Sequence, residues 1–253
     1  MLRPRTGKQY AKCGIDQGIR NPLTLSTVKD KKIKTKIYGK VVQTSLKQID
    51  ERLKHLQLHW SKKHECWKIR NKEYVKINGE KLPDSNNMKK LRLKIQRLQR
   101  KARYIKNSWS QRVSNEIANH FETIKVEDLK RRNMIKSAKG TKKKPGKNVA
   151  AKSGLNREML RVPLGRVISF IEYKAKLYGG QLQKVDPRNT SRKCSECGYT
   201  DKENRHSDEF ICLNCRYEQD ADINAAINIM RKKPIITRIK KSNYLRSKLR
   251  KAA

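Results

Sequence analysis

Residues 194–230 read CSECGYTDKENRHSDEFICLNCRYEQDADINAAINIM, and the rest of the chain is interpreted around this stretch. Two Cys-x-x-Cys pairs, Cys194/Cys197 and Cys212/Cys215, are separated by 14 residues. A tight Cys-x-x-Cys turn points two thiolates at one place, and two such turns complete a tetrahedron around zinc. Four protein ligands leave no open position, so the spacing predicts a structural zinc ribbon. A pair of redox or disulfide motifs is the alternative.

The chain around the cysteines is strongly basic. Its 253 residues include 64 Lys and Arg against 23 Asp and Glu, a formal net charge of +41. Such a charge opposes a compact state unless a polyanion neutralises it, and nucleic acid is the natural partner because docked cations release counterions from phosphates. No stretch of 18 apolar residues and no signal peptide occurs, so we expect no membrane partner. The expected location is cytoplasmic, or nucleoid-associated in a prokaryote.

Hydrophobic periodicity predicts an α/β chain. An apolar stripe over residues 41–60 predicts one amphipathic helix, and a second stripe begins at Met88 and reaches Phe121. These two helices are expected to pack as an antiparallel hairpin. Residues 64–87 hold helix breakers and are read as a small hairpin. The other expected elements are short strands at 10–16, 22–27, 34–38, 122–127 and 181–185, a basic loop at 130–152, and helices at 163–178 and 221–231.

Three acidic residues stand at the ends of predicted elements. Asp16 ends the first strand in CGIDQGI, Glu127 ends a strand in IKVEDL, and Asp222 opens the last helix in QDADINAAINI. Carboxylates gathered from separate strand and helix ends suit a two-metal phosphodiester site, where they hold two Mg²⁺ ions roughly 4 Å apart. Each acid also has a structural alternative: Asp16 as a turn residue, Glu127 as a surface acid and Asp222 as a helix cap.

Taken together, these segments resemble the TnpB (OrfB) family of insertion-sequence proteins, the RuvC-like relatives of type V CRISPR effector nucleases. The matching stretches occur in family order and cover most of residues 12–232. They are CGIDQGIRNPLTLS, IKVEDLK, FIEYKAKLYGGQLQKVDPRNTSRKCSECGYT and FICLNCRYEQDADINAAINI.

The resemblance implies an α/β fold of the RNase H-like (RuvC-like) type with an inserted four-cysteine zinc ribbon. It also implies a catalytic set, Asp16, Glu127 and Asp222, that works with two Mg²⁺ ions. Asp220 is the competing choice for the third acid. Asp222 is preferred because the family motif places its acid two residues before an Asn, here Asn224.

The resemblance further implies a transposon-associated, metal-dependent DNA endonuclease with DNA as substrate and a guide RNA as partner. Family members usually carry a long N-terminal part before the first catalytic acid, whereas 15 residues precede Asp16 here. Three readings stay open: a truncated copy, a decayed copy, or a chain that obtains the missing part from a partner chain. The alternative function is a catalytically idle DNA- or RNA-binding remnant or a regulator of an insertion sequence.

These expectations divide the chain into three parts. The nuclease core is assigned to residues 8–189 and 218–232, with residues 41–120 as a helical hairpin insertion. The zinc ribbon is assigned to residues 190–217, and residues 233–253 form a basic C-terminal tail.

Overall fold

Five strands form the main sheet of the computed structural model, which describes residues 10–141 and 143–235. The strands are β1 (Tyr10–Asp16), β2 (Leu23–Lys29), β3 (Lys32–Tyr38), β4 (Phe121–Glu127) and β5 (Gln181–Val185). Their order is β3-β2-β1-β4-β5. The first three strands form an antiparallel meander, whereas β1, β4 and β5 run parallel. The five predicted strands are therefore confirmed, with ends shifted by one or two residues.

The two faces of the sheet carry different helices. Cys13 and Ile15 of β1 and Val126 of β4 point into a buried apolar cluster. That cluster also contains residues of α2 (Asn86–His120) and α5 (Leu164–Leu177). The opposite face packs against α6 (Ala221–Arg231). Because side chains alternate along a strand, Asp16 and Glu127 belong to the face covered by α6.

Gly14 explains how closely α6 approaches the sheet. A β-carbon added at Gly14 would lie 2.3 Å from the carbonyl oxygen of Ala226 and 2.4 Å from the backbone nitrogen of Met230. Real β-carbons do not approach backbone atoms this closely, so only glycine allows the helix to lie directly on β1. This contact sets the depth at which the first turn of α6 meets the end of β1.

The helical hairpin is longer than its sequence pattern predicts. Helix α1 (Lys40–Asn78) continues without a break past Trp60, so the small hairpin predicted for residues 64–87 is wrong. The reason is a stack of three rings on one helix face: His64 lies between Trp60 and Trp67, with centroid distances of 4.5 and 5.5 Å. This stack extends the stripe at helical spacing, and left-handed Gly79 ends the helix.

The basic loop predicted over residues 130–152 ends earlier than expected. A short helix, α3 (Arg131–Met134), begins it, and α4 (Val149–Arg161) follows where no helix was predicted. Arg161 at the end of α4 is buried and donates to Asp50 of α1 at 3.2 Å. This long-range ion pair anchors α4 to the hairpin. Periodicity in the local sequence does not predict such a contact.

A second, three-stranded sheet follows in the cysteine region. It consists of β6 (Arg205–His206), β7 (Glu209–Ile211) and β8 (Glu218–Asp220), in that order. After α6, Ile235 donates its backbone N–H to Lys184 on the edge of β5. The rest of the predicted basic tail lies outside the described residues, as do residues 1–9. Within the described ranges, no helix is both long and apolar enough to cross a membrane.

Candidate carboxylate and cysteine sites

The three predicted acids meet at the carboxyl end of the parallel strands. The β1–β4 register pairs Ile15 with Val126, so the residues that follow them, Asp16 and Glu127, are neighbours. Asp222 approaches from the first turn of α6, which covers the same face of the sheet. The negative charges of both Glu127 and Asp222 act on Asp16. The fold thus brings together three carboxylates from distant parts of the chain.

Asp16 is the most perturbed member of this cluster. Burial, followed by repulsion from Glu127 and Asp222, raises its pKa from 3.8 to about 7. Burial also raises the pKa of Glu127, although a hydrogen bond from the Thr190 hydroxyl works against the rise. Carboxylates in this situation carry unfavourable charge that a bound cation would relieve.

Asp220 and Asp222 have different roles at the start of α6. The carboxylate of Asp220 accepts from the backbone N–H groups of Asp222 and Ile223, at 2.9 and 3.1 Å. Asp220 is therefore the N-cap of the helix, so the structural alternative for Asp222, a capping role, is wrong. The carboxylate of Asp222 instead accepts from the Asn21 side chain at 3.0 Å.

Three partners of the acids were missed in the sequence. Arg205 of β6 donates to the second carboxylate oxygen of Asp222 at 3.1 Å, and its charge lowers the pKa of Asp16. Asn21 is 2% exposed, and its amide oxygen has no hydrogen-bond partner among the described residues. Thr190 donates to Glu127 from the loop after β5. Because these partners come from three separate segments, no motif spacing could have revealed them.

The four predicted cysteines form one cluster. Their sulfur atoms all lie within 4.8 Å of one another, and no other group of three or more possible ligands in the described chain is this compact. Sγ atoms of Cys194 and Cys215 are 3.7 Å apart, and those of Cys197 and Cys212 are 3.5 Å apart. These distances exclude a disulfide of about 2.05 Å. They match the S–S edge of about 3.8 Å that a tetrahedron with Zn–S of about 2.3 Å requires.

Two asparagines of α6 join the cysteine cluster to the carboxylate site. Asn224 accepts from the backbone N–H of Ser195 at 3.0 Å and donates to the carbonyl of Lys193 at 2.9 Å. One turn later, Asn228 donates to the carbonyls of Thr190 and Lys193. The first cysteine turn and the loop that carries Thr190 are therefore tied to the helix that carries Asp222.

Comparison with known proteins adds three similarities and one profile match. The family profile described as Cas12f1-like, TNB domain, matches residues 165–229. The chain is 42% identical over 153 residues to InsQ of Escherichia coli (strain K12), to which RNA-guided DNA endonuclease activity is assigned. It is 24% identical over 226 residues to TnpB-like protein L79 of Acanthamoeba polyphaga mimivirus.

These matches cover 60% and 88% of this chain, but only 38% of the length of each of the two relatives. The fold is similar to that of a Cas12f1 chain solved by cryo-EM in a complex with sgRNA and target DNA, with a TM-score of 0.51 and 21% identity. That similarity spans 87% of this chain and 49% of the Cas12f1 chain.

The fold and its sites thus define an α/β protein with a mixed sheet, a cluster of three carboxylates beside it and a four-cysteine group able to hold a metal ion. The resemblance to the TnpB family that the motifs predict is confirmed by the similarity to InsQ, to the mimivirus TnpB-like protein and to Cas12f1.

Proposed function

We propose that this chain is the nuclease lobe of a TnpB-like, RNA-guided DNA endonuclease with an RuvC-like core. The observation that carries the proposal is the convergence of Glu127 and Asp222 on buried Asp16. InsQ is assigned an RNA-guided DNA endonuclease activity, and the Cas12f1 chain was solved with sgRNA and target DNA. We extend both partners, DNA as substrate and RNA as guide, to this chain.

The residues at the carboxylate site fit a pair of Mg²⁺ ions. Carboxylate and amide oxygens are the ligands that this hard cation takes, and buried Asn21 offers an unpartnered oxygen beside Asp222. Three carboxylates at one edge of the sheet offer several oxygen ligands, as a two-metal phosphodiester site with ions about 4 Å apart requires. Ions bound there would activate water and stabilise the leaving oxygen of a phosphodiester.

Asp222 is the better candidate for the third acid. The carboxylate of Asp220 is engaged by two backbone N–H groups of α6, whereas the charge of Asp222 raises the pKa of Asp16. Arg205 and Thr190 position Asp222 and Glu127, because each donates a hydrogen bond to one carboxylate.

The cysteine cluster fits structural zinc, held by Cys194, Cys197, Cys212 and Cys215. All four positions of the tetrahedron are filled by protein sulfur, so the ion would have no open site for chemistry. Its contribution is to fold residues 190–217, whose own apolar cluster is small. Through Asn224 and Asn228, this folded ribbon then holds α6 in place.

Cleavage by the purified protein tests the proposal. With Mg²⁺ and its co-purified RNA, the chain should nick or cut DNA, and Asp16→Ala should abolish the cutting. Glu80→Ala, which removes an exposed acid at the hairpin tip, is the matched control and should cut normally. Treatment with ribonuclease before the assay separates guided from unguided cutting.

DNA cleavage by the Asp16→Ala variant would contradict the assignment of the three carboxylates as the catalytic site. DNA or RNA binding that falls steeply with salt, without any metal-dependent cutting, would instead favour the catalytically idle binding protein. Cleavage that is unchanged by ribonuclease would support the nuclease function but contradict the role of a guide RNA.

A further inference from the structure

The turn between β6 and β7 lies against the start of α6. Only two residues, Ser207 and Asp208, join these strands. Ser207 has a left-handed backbone with a φ of 54°, which lets the chain reverse within two residues. The backbone carbonyl of Asp208 accepts from the N–H of Ala221, the first residue of α6, at 2.8 Å. The turn is therefore fixed next to Asp222, which follows Ala221 in the helix.

The side chain of Asp208 makes a different contact from its backbone. Its carboxylate forms an ion pair with Arg20, which lies on the loop that joins β1 to β2. That loop begins directly after Asp16, and its Asn21 donates to Asp222 at 3.0 Å. Both members of the ion pair are about half exposed, so the pair lies at the surface and not in the core. A cation next to the carboxylate site is thus held by an acid from outside that site.

Two acids of α6 also attract Arg20. A hydrogen bond to Asp208 and the charge of that residue raise the pKa of Arg20 most, and the charges of Asp220 and Asp222 raise it further. The guanidinium is therefore within electrostatic reach of the first turn of α6. Arginine stays charged and can donate to both oxygens of a carboxylate. If Asp208 released Arg20, the next partners for its guanidinium would be Asp220 and Asp222.

A guanidinium bound to Asp222 would oppose the binding of divalent ions. Asp222 already accepts from Arg205 at 3.1 Å and from Asn21 at 3.0 Å. A second guanidinium would take further acceptor positions of this carboxylate and would cancel more of its charge. Both effects weaken the binding of a hard cation, which needs anionic oxygen ligands. The acid that keeps Arg20 aside therefore affects the carboxylate site without belonging to it.

We propose that Asp208 is a positioning residue: its carboxylate holds the Arg20 guanidinium outside the acid cluster and so keeps Asp222 available to a divalent ion. The inference rests on the proposed function of the carboxylate site and adds a control that comes from the cysteine region. Asp208 acts through the charge of Arg20, since its backbone contact with α6 does not depend on its side chain. In this it differs from Arg205, which contacts Asp222 directly.

Binding of Mn²⁺ to the zinc-loaded protein, measured by electron paramagnetic resonance, tests the inference. Mn²⁺ prefers oxygen ligands, so it reports on the carboxylates and not on the four sulfur atoms. Asp208→Ala should raise the Kd for Mn²⁺ about two- to fivefold, the range for one interaction between partly exposed charges. Zinc content and thermal stability should stay near those of the parent, because an ion pair this exposed contributes little to folding.

A double variant decides whether Asp208 acts through Arg20. Arg20→Ala alone should leave the affinity for Mn²⁺ equal or raise it, because it removes a cation near the acids. The double variant Arg20→Ala, Asp208→Ala should bind Mn²⁺ as Arg20→Ala does, so the loss caused by Asp208→Ala disappears when Arg20 is absent. An ion pair that merely holds the loop in place predicts the opposite, with weaker binding in all three variants.

Glu209→Ala is the matched control for Asp208→Ala. It removes the same charge from the next residue, which is exposed and lies opposite Asp220 in the β7–β8 register. Its effect on the Kd for Mn²⁺ should be smaller than that of Asp208→Ala. Asp208→Glu keeps a carboxylate at the turn and should retain most of the affinity of the parent.

Three results would overturn the role of Asp208. An equal Kd in Asp208→Ala and the parent would mean that Arg20 does not reach the acids. Equal weakening by Asp208→Ala and Glu209→Ala would mean that only the general negative charge of the region matters. Weakening that persists in the double variant would mean that the ion pair holds the loop and does not restrain a charge.

The role of Asp208 and the nuclease assignment fail separately. A protein that shows the predicted differences in Mn²⁺ binding but never cuts DNA would refute the nuclease function alone. A protein that cuts DNA, and whose Asp208→Ala variant binds Mn²⁺ as tightly as the parent, would refute the role of Asp208 alone.

Discussion

Arg205 donates a hydrogen bond of 3.1 Å to the carboxylate of Asp222, so a cation from the cysteine region lies within the acid cluster. The same guanidinium lowers the pKa of both Asp16 and Glu127. Arg205 therefore offsets part of the repulsion between acids that the fold brings together. The cysteine region acts on the carboxylate site through this contact as well as through the asparagines of α6.

Arg205→Ala should move the acid limb of the pH–activity profile to higher pH. Without the guanidinium, the pKa of Asp16 rises further, so the carboxylate is ionised only at higher pH. The profile of Mg²⁺-dependent cleavage measures the shift. Arg205→Lys should keep the limb nearer its original position, and Arg192→Ala, which removes an exposed cation nearby, should not move it. If the acid limb of the pH–activity profile does not move in Arg205→Ala, Arg205 does not influence the ionisation of the acids during cleavage.

Asp16→Asn should make the protein more stable near neutral pH while it abolishes cleavage. The folded-state pKa of Asp16, about 7, lies above the ordinary value of 3.8. The folded state is therefore penalised as pH rises from about 4 to about 7, and the full penalty of about 4 kcal/mol applies above that range. Unfolding by urea at several pH values, without added Mg²⁺, measures the difference between variant and parent.

That difference should grow between pH 4 and pH 7 and then level off. Asp30→Asn is the control because Asp30 lies on the exposed turn between β2 and β3, where asparagine tolerates the positive φ. A constant difference across this pH range for Asp16→Asn would contradict a raised pKa in the folded protein.

Cys212→Ser should lower zinc content, thermal stability and cleavage together. Cys212 is fully buried in the small cluster with Cys194 and Phe210, so loss of its thiolate removes a ligand and loosens the segment that holds α6. Metal analysis, thermal unfolding and cleavage are measured on the same preparation. Cys66→Ser, at an exposed cysteine on α1, is the control and should change none of them. Unchanged stability and cleavage in Cys212→Ser would make the ribbon dispensable.

Gly14→Ala should be strongly destabilising, because its β-carbon would collide with the backbone of α6. Overpacking of this kind lowers the free energy of unfolding by about 1–3 kcal/mol or more, since the backbones of β1 and α6 cannot move apart without losing other contacts. Gly154→Ala is the control: its β-carbon would meet nothing within 4 Å, and in helix α4 alanine should add about 0.5–1 kcal/mol. Denaturant unfolding checks both, and equal stability of the two variants would contradict the close approach at Gly14.

Local patterns predicted the elements well where one face is apolar. The five strands and α6 are predicted correctly because their apolar residues alternate or recur at helical spacing within a few consecutive positions. The predicted first helix ends at Trp60 because the aliphatic stripe ends there. In the structure, the stacked rings of His64 and Trp67 continue this stripe along α1. Helix α4 was missed because its anchor, the Arg161–Asp50 pair, joins residues far apart in the chain.

The amino-acid sequence alone determined the cysteine cluster, the candidate acids and the family resemblance, because the spacing of ligands within a turn and the order of motifs are properties of the chain itself. Only the tertiary structure decided that Asp220 caps α6 while Asp222 faces Asp16, and that Arg205, Asn21 and Thr190 surround the acids. Those contacts depend on packing α6 against Gly14 and on the register of β1 with β4. Such long-range geometry arises from the burial of whole elements, which no short stretch of sequence encodes.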